Sequence, residues 1–139
     1  MNLNISKNNY KNFNTSHIII KESNLHGAGF GAFAHVDIDA NKKLGQYIGE
    51  KLTEDEASDL ECQTYIFEVY DKINGNFFLN AHDLSKSNWT RFINSCKNIK
   101  QRKLINAKFY QKDHKIWVKS IKNIKQGEEI IADYGDYYW

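Results

Sequence analysis

Short apolar runs separated by turn signals recur along the chain, and they constrain the fold more than any other feature. His17–Lys21, Phe30–Val36 and Leu44–Glu50 are rich in β-branched or aromatic residues. Such runs are typical of β-strands. Turn signals between further runs predict two hairpins, which are Thr64–Tyr70 with Asn76–Asn80 around Asn74-Gly75, and Leu104–Lys112 with Lys115–Ile121 around Asp113-His114.

Only one segment carries a clear helix signal. Thr53–Glu61 begins with Thr53, followed three residues later by Glu56, which is the pattern of a capping box. The acidic first turn suits the positive end of the helix dipole. No series of alternating strands and helices appears, which disfavours a doubly wound nucleotide-binding fold. The sequence therefore predicts a mostly β fold with one or two short helices.

The domain organisation is predicted from length and composition. The 139 residues suit one domain, and 41% hydrophobic residues are enough for a core. Residues 1–16 are rich in Asn and Lys, so we expect an arm that is mobile or ordered only against a domain spanning residues 17–139. The start has no apolar stretch and no run could span a bilayer, so we expect an intracellular protein without a secretory signal or membrane partner.

Charge and cysteine content narrow the function classes. The net charge is +2 with both signs interspersed, which argues against direct nucleic-acid binding. Cys62 and Cys96 each stand alone, without metal-ligand spacing, so no zinc site is predicted. Free thiols are expected for both cysteines.

Polar and aromatic side chains in several stretches allow two interpretations each. The alternating glycines of Gly27–Gly31 fit a bulged strand or a backbone that a ligand approaches closely. Asn94 either holds a loop to its neighbours or recognises the polar edge of a ligand. Tyr47 is predicted to be a core residue with a satisfied hydroxyl, whereas the pattern does not separate Tyr65 from Tyr70. The aromatics of residues 134–139 either seal the core or form a wall around a ligand.

Taken in order, these stretches resemble the SET domain of protein-lysine methyltransferases, including its PR subtype and small viral or bacterial members. The similarity runs from about His17 to Trp139. The motifs that carry it are Gly29-Phe30-Gly31 with Phe33-Ala34, Tyr47-Ile48-Gly49-Glu50, Tyr65-Ile66-Phe67, Arg91-Phe92-Ile93-Asn94, and Gly127-Glu128-Glu129-Ile130 followed by Asp133-Tyr134.

The resemblance implies several small sheets and a C-terminal pseudoknot, in which the strand carrying Tyr134 passes beneath the loop carrying Asn94. It also implies S-adenosyl-L-methionine as the methyl donor and Tyr134 as the catalytic residue. The implied cofactor-binding residues are Ala28, Gly29, Phe30, Tyr65, Arg91, Asn94 and Ser95. The implied substrate channel contains Tyr65, Ala132, Tyr137 and Trp139.

Three departures from the family pattern affect these expectations. The family's His after Asn is missing here: either Ser95 replaces it, as in PR-like sequences, or the loop is one residue shorter. We expect no cysteine-rich zinc segment after the domain, and we hypothesise that Tyr137, Tyr138 and Trp139 form part of the channel wall instead. Ala132 stands where many relatives carry Phe or Tyr, which suggests a roomier lysine pocket and higher methylation states.

The resemblance implies a methyltransferase that acts on lysine in an exposed protein tail, with a histone tail as the first expectation and a nucleus or host nucleus as the site of action. The tail would add a strand to a sheet edge beside the acidic segment Glu54–Glu61. One alternative is a PR-like binding module with little or no activity, which the missing His suggests. Another is a small β-barrel that binds nucleic acid, which the weak net charge disfavours. A homodimer stays open.

Overall fold

A computed structural model describes residues 10–96 and 99–133 of the chain. In this part, one α-helix, α1 (Glu54–Ser58), accompanies ten short strands and four 3-10 helices, and no helix is long and apolar enough to cross a membrane. The 3-10 helices are Lys11–Phe13, Leu84–Lys86, Trp89–Phe92 and Ile99–Leu104. The strands are β1 (Ile18–Glu22), β2 (Phe30–Ala34), β3 (Lys43–Gln46), β4 (Glu50–Leu52), β5 (Ile66–Val69), β6 (Phe77–Asn80), β7 (Asn94–Ser95), β8 (Ala107–Lys112), β9 (Lys115–Ser120) and β10 (Ile131–Asp133).

The described strands form three small sheets, which confirms the mostly β prediction. β1 and β2 make an antiparallel pair, and β4, β6 and β5 make a three-stranded sheet in that order. The largest sheet has the order β3-β9-β8-β10-β7. The chain therefore builds its core from several short elements, each too small to be stable alone.

The last described strand enters the largest sheet between two earlier strands. β10 is parallel to both neighbours, with Ala132 opposite Ser95 on β7 and opposite Ala107 on β8. β7 and β8 precede β10 in the chain, so β10 completes the sheet by pairing between two strands that are already laid down in the sequence. This insertion places β10 beside the segment with Asn94, as the resemblance implied for the C-terminal pseudoknot.

Both predicted hairpins are confirmed. Asp113 and His114 form the turn between β8 and β9 with positive φ angles of 54° and 59°. Such φ values are those of a type I′ turn, which matches the twist of antiparallel strands. In the turn between β5 and β6, the Asp71 carboxylate accepts backbone N–H groups of Ile73 and Asn74, each at 3.0 Å. Local turn chemistry therefore determines both connections.

The prediction of one strand over Leu44–Glu50 is wrong. The segment is divided between β3, which pairs with β9, and β4, which pairs with β6 in another sheet. Between them the Tyr47 ring is buried and its hydroxyl donates to the Tyr65 carbonyl at 2.8 Å, which confirms the expected satisfied hydroxyl. Tyr47 therefore lies in the connection between two sheets, and its buried ring packs where one sheet ends and the next begins.

The predicted helix forms with its capping box but ends earlier than expected. Thr53 Oγ1 accepts the Glu56 N–H at 3.2 Å, and Glu56 Oε1 accepts the Thr53 N–H at 3.0 Å. The helix stops at Ser58 and not at Glu61. Beyond it, the Gln63 side-chain amide donates to the carbonyls of Ala57 and Leu60, which satisfies groups that a longer helix would pair internally.

Two clusters of buried side chains form the core. The main one includes Phe67, Phe92, Phe109 and Ala132, and a smaller one consists of Leu52, Ala57, Ile66 and Phe78. Tyr10 belongs to the main cluster although it lies in the segment predicted as an arm. The described end of that segment therefore packs against the domain.

Candidate functional site

The candidate site is centred on Asn94, whose side chain joins three distant parts of the chain. Its Nδ2 donates to the Phe30 carbonyl at 3.0 Å and to Glu129 Oε2 at 3.2 Å. Phe30 follows Gly29, which has a φ of +76°. The structure therefore brings the predicted residues Gly29, Phe30 and Asn94 together at the start of β2 and at β7.

The orientation of the Asn94 amide follows from its neighbours. A carbonyl and a carboxylate are both acceptors, so they fix the NH2 end of the amide toward them. No described residue donates to Asn94 Oδ1. Asn94 thus holds its loop to Phe30 and Glu129, as one sequence interpretation proposed. Recognition of a ligand by its carbonyl oxygen, the other interpretation, stays a prediction.

Glu129 supports this arrangement. It is part of the motif Gly127–Ile130, but no role in the site was predicted for it. Its Oε2 also accepts the Ser23 hydroxyl at 2.7 Å, and its Oε1 accepts the Asn24 N–H at 2.8 Å. The residue is only 7% exposed. A buried carboxylate is stable only when donors surround it. The signal in the sequence was an acidic residue directly before the apolar run Ile130–Ala132.

Asn106 is a second buried polar residue that the sequence did not reveal. Its Nδ2 donates to the Glu129 carbonyl at 2.9 Å, and its Oδ1 accepts the Ile131 N–H at 2.9 Å. Its own N–H donates to the Ile131 carbonyl at 2.9 Å. Asn106 therefore fixes the path of the chain from Glu129 into β10. Its only signal was a single Asn just before an apolar strand.

Gly31 leaves the space that Glu129 occupies. A Cβ on Gly31 would lie 2.3 Å from Glu129 Oε2 and 3.3 Å from Asn94 Nδ2. We expect Gly31→Ala to lower the free energy of unfolding by about 2 kcal/mol, because the carboxylate must leave its donors. Urea unfolding measures this loss. The obstructing atoms belong to the Glu129 side chain, so Glu129→Asp should cost less stability in the Gly31→Ala background than in the wild type. Losses of stability that simply add would contradict this explanation.

Arg91 and Tyr65 form a second part of the site. The Arg91 guanidinium lies 4.2 Å from the centroid of the Tyr65 ring. Its Nε donates to the Ala81 carbonyl at 2.7 Å and its NH2 group to the His82 carbonyl at 3.3 Å. The guanidinium therefore fixes the half-buried Tyr65 ring against the chain between β6 and the next 3-10 helix. Tyr70, in contrast, is 41% exposed, which separates the two tyrosines.

Three more of the predicted site residues, Ala28, Ser95 and Ala132, lie in the described part of the chain. Ala28 donates its N–H to the Leu25 carbonyl at 3.1 Å in the turn before β2. Ser95 is half-buried on β7, and Ala132 is fully buried in the main core cluster on β10. Their predicted roles in binding stay predictions. The other predicted or hypothesised residues, Tyr134, Tyr137, Tyr138 and Trp139, lie outside the described residues.

Comparison with known proteins identifies the relatives of this chain. The SET domain family matches residues 29–135. Histone-lysine N-methyltransferase set-17 of Caenorhabditis elegans is 29% identical over 119 residues, which cover 86% of this chain and 41% of that protein. The chain thus matches less than half the length of this relative.

Several solved structures share the fold, and two of them show how far the similarity extends. The methyltransferase domain of human PR domain-containing protein 2 matches with a TM-score of 0.76 at 24% identity, covering 92% of this chain and 83% of that one. The Polycomb Repressive Complex 2 of Chaetomium thermophilum, bound to S-adenosylmethionine in an autoinhibited conformation, matches with a TM-score of 0.69 at 26% identity. There the match covers 88% of this chain and 15% of that chain.

Proposed function

Because the chain belongs to the SET domain family, we propose that it is a protein-lysine N-methyltransferase that uses S-adenosyl-L-methionine. The observation that carries the proposal is the junction of Phe30, Asn94 and Glu129. It joins the glycine-containing strand, the asparagine loop and the start of β10 in one place. Similarity to histone-lysine methyltransferases and to a complex bound to S-adenosylmethionine supports the same activity.

The residues at this junction fit the cofactor. S-adenosylmethionine supplies a methyl group on a positively charged sulfur and carries an amino group that needs acceptors. Asn94 Oδ1 is such an acceptor without a donor among the described residues. We assign the backbone of Ala28, Gly29 and Phe30 to its methionine end, and Tyr65, Arg91 and Ser95 to the remaining contacts.

Transfer of the methyl group requires a neutral lysine amine that lies in line with the sulfur–methyl bond of the donor. We assign Tyr134 as the catalytic tyrosine whose hydroxyl orients the amine. Tyr65, Ala132, Tyr137 and Trp139 are proposed to line the channel. An aromatic channel removes water from the amine, and this desolvation lowers the pKa of the substrate lysine so that its neutral form can react.

The proposed substrate is an exposed, lysine-containing protein tail, with a histone tail first because set-17 is a histone-lysine methyltransferase. A histone-directed enzyme would act in a nucleus. A second candidate function is a PR-like binding module with little activity. Ser95 in place of the family's His favours this candidate, since it changes the residue next to the proposed cofactor contact.

One experiment tests the enzyme proposal. We expect the full chain, incubated with S-adenosylmethionine and a histone mixture, to add methyl groups to lysine that mass spectrometry can locate. Tyr134→Phe should bind the cofactor with unchanged affinity in calorimetry but lose most of this activity, because only the transfer step needs the hydroxyl. Absence of cofactor binding by the wild type would refute the enzyme proposal. Binding without methylation of any protein would favour the PR-like module.

A further inference from the structure

Tyr10 connects the N-terminal segment to the candidate site through aromatic contacts. Its ring centroid lies 4.3 Å from that of Phe30 and 5.3 Å from that of Phe92. The second contact is nearly perpendicular, at 88°, a favourable edge-on geometry. Phe13 adds a third contact, 5.1 Å from Phe92. Tyr10 is only 4% exposed, so its ring is part of the core.

The two rings that Tyr10 contacts belong to two different segments of the site, β2 and the 3-10 helix before Asn94. Phe30 carries the carbonyl that accepts from Asn94. Phe92 precedes Asn94 by two residues, and the Arg91 guanidinium lies 5.0 Å from its ring centroid. A single side chain therefore packs on both segments that the Asn94–Phe30 hydrogen bond joins.

The segment that carries Tyr10 is itself fastened to β1. Asn14 Oδ1 accepts the Ile20 N–H at 2.9 Å, and Thr15 Oγ1 accepts the Ile18 N–H at 3.0 Å. The Thr15 N–H also donates to the Ile18 carbonyl at 2.9 Å. The segment that carries Tyr10 is therefore held to β1 by hydrogen bonds while the Tyr10 ring packs against the site. The two contacts with the site are made by the ring of Tyr10.

We propose that Tyr10 is a positioning residue that braces Phe30 against Phe92 and thereby sets the affinity of the site for S-adenosylmethionine. The inference rests on the proposed function. Without the ring, the two segments keep the Asn94–Phe30 hydrogen bond and their shared core packing, but they lose the one aromatic side chain that contacts both Phe30 and Phe92. Ordering the two segments when the ligand binds then reduces the net free energy of binding.

The test compares three variants of the full chain. Tyr10→Leu removes the aromatic brace, whereas Tyr10→Phe keeps the ring and removes only the hydroxyl. Phe78→Leu is the matched control, because Phe78 is equally buried but lies in the separate smaller cluster. We expect calorimetry to show affinity for S-adenosylmethionine about tenfold weaker in Tyr10→Leu and about twofold or less changed in the other two.

Hydrogen exchange provides a readout that does not need the cofactor. We expect faster amide exchange in residues 28–34 and 91–95 of Tyr10→Leu than in Phe78→Leu at matched overall stability. Equal exchange in the two variants, or equal loss of affinity, would overturn the proposal. If the wild type binds no cofactor, the proposed function fails, and the exchange measurement still decides whether Tyr10 braces the two segments.

Discussion

Asn94→Asp should lower the free energy of unfolding by about 3–5 kcal/mol at neutral pH, although the two side chains have the same shape. The substitution replaces a donor to Phe30 and Glu129 by a second carboxylate. Two negative charges at the 3.2 Å separation seen here repel by about 5 kcal/mol at an effective dielectric constant of 20. Because domains are stable by only about 5–15 kcal/mol, urea unfolding at pH 7 will register this loss clearly.

The loss in Asn94→Asp should depend on pH in a defined direction. Repulsion raises the folded-state pKa of the carboxyl pair above its unfolded value. The penalty is therefore fully present above that raised pKa and disappears as the pH falls through it. The stability difference between the variant and the wild type should be smaller at pH 5 than at pH 7, when urea unfolding is measured at both.

Two controls separate charge repulsion from lost hydrogen bonds. Asn94→Ala removes the same donors without adding a charge and should cost about 1–3 kcal/mol. Adding Glu129→Gln to Asn94→Asp removes one charge and should recover part of the loss. If Asn94→Asp is no less stable than Asn94→Ala, or if the double variant recovers nothing, the contact between Asn94 and Glu129 does not have the role described here.

Local signals were enough to predict the hairpins and the start of the helix. The turn at Asp113-His114 and the capping box of Thr53 each depend on residues within a few positions of one another. The division of Leu44–Glu50 between two sheets could not be predicted in this way. It depends on contacts with Tyr65 and Asn80, which the chain reaches only after folding.

The candidate site was predicted in part, and the family resemblance was essential for that part. The motifs placed Gly29, Phe30 and Asn94 in one site, and the structure brings these residues together. The role of Glu129 was missed because its partners Ser23 and Asn24 lie 106 and 105 positions away. The sequence shows an acidic residue there but not the donors that make its burial favourable.

At Gly49 a neighbouring stretch of backbone leaves no room for a side chain. A Cβ on Gly49 would lie 2.8 Å from the carbonyl carbon of Asn80, 2.9 Å from its oxygen and 3.0 Å from its nitrogen. The φ of Gly49 is not positive, so backbone strain is not the reason for glycine. The strand-paired backbone of Asn80 cannot move aside without breaking its bonds to β4 and β5.

We therefore expect Gly49→Ala to lower the free energy of unfolding by at least about 3 kcal/mol, near the upper end for overpacked sites. Gly45→Ala is the matched control, since the nearest atoms to its Cβ would belong to the Trp89 side chain, at 3.1 Å, and it should cost about 1 kcal/mol. Urea unfolding of both variants measures the difference. Because the atoms that clash with Gly49→Ala are main-chain atoms, Asn80→Gly should not restore stability. Recovery in that double variant would show that the Asn80 side chain, and not its backbone, requires the glycine.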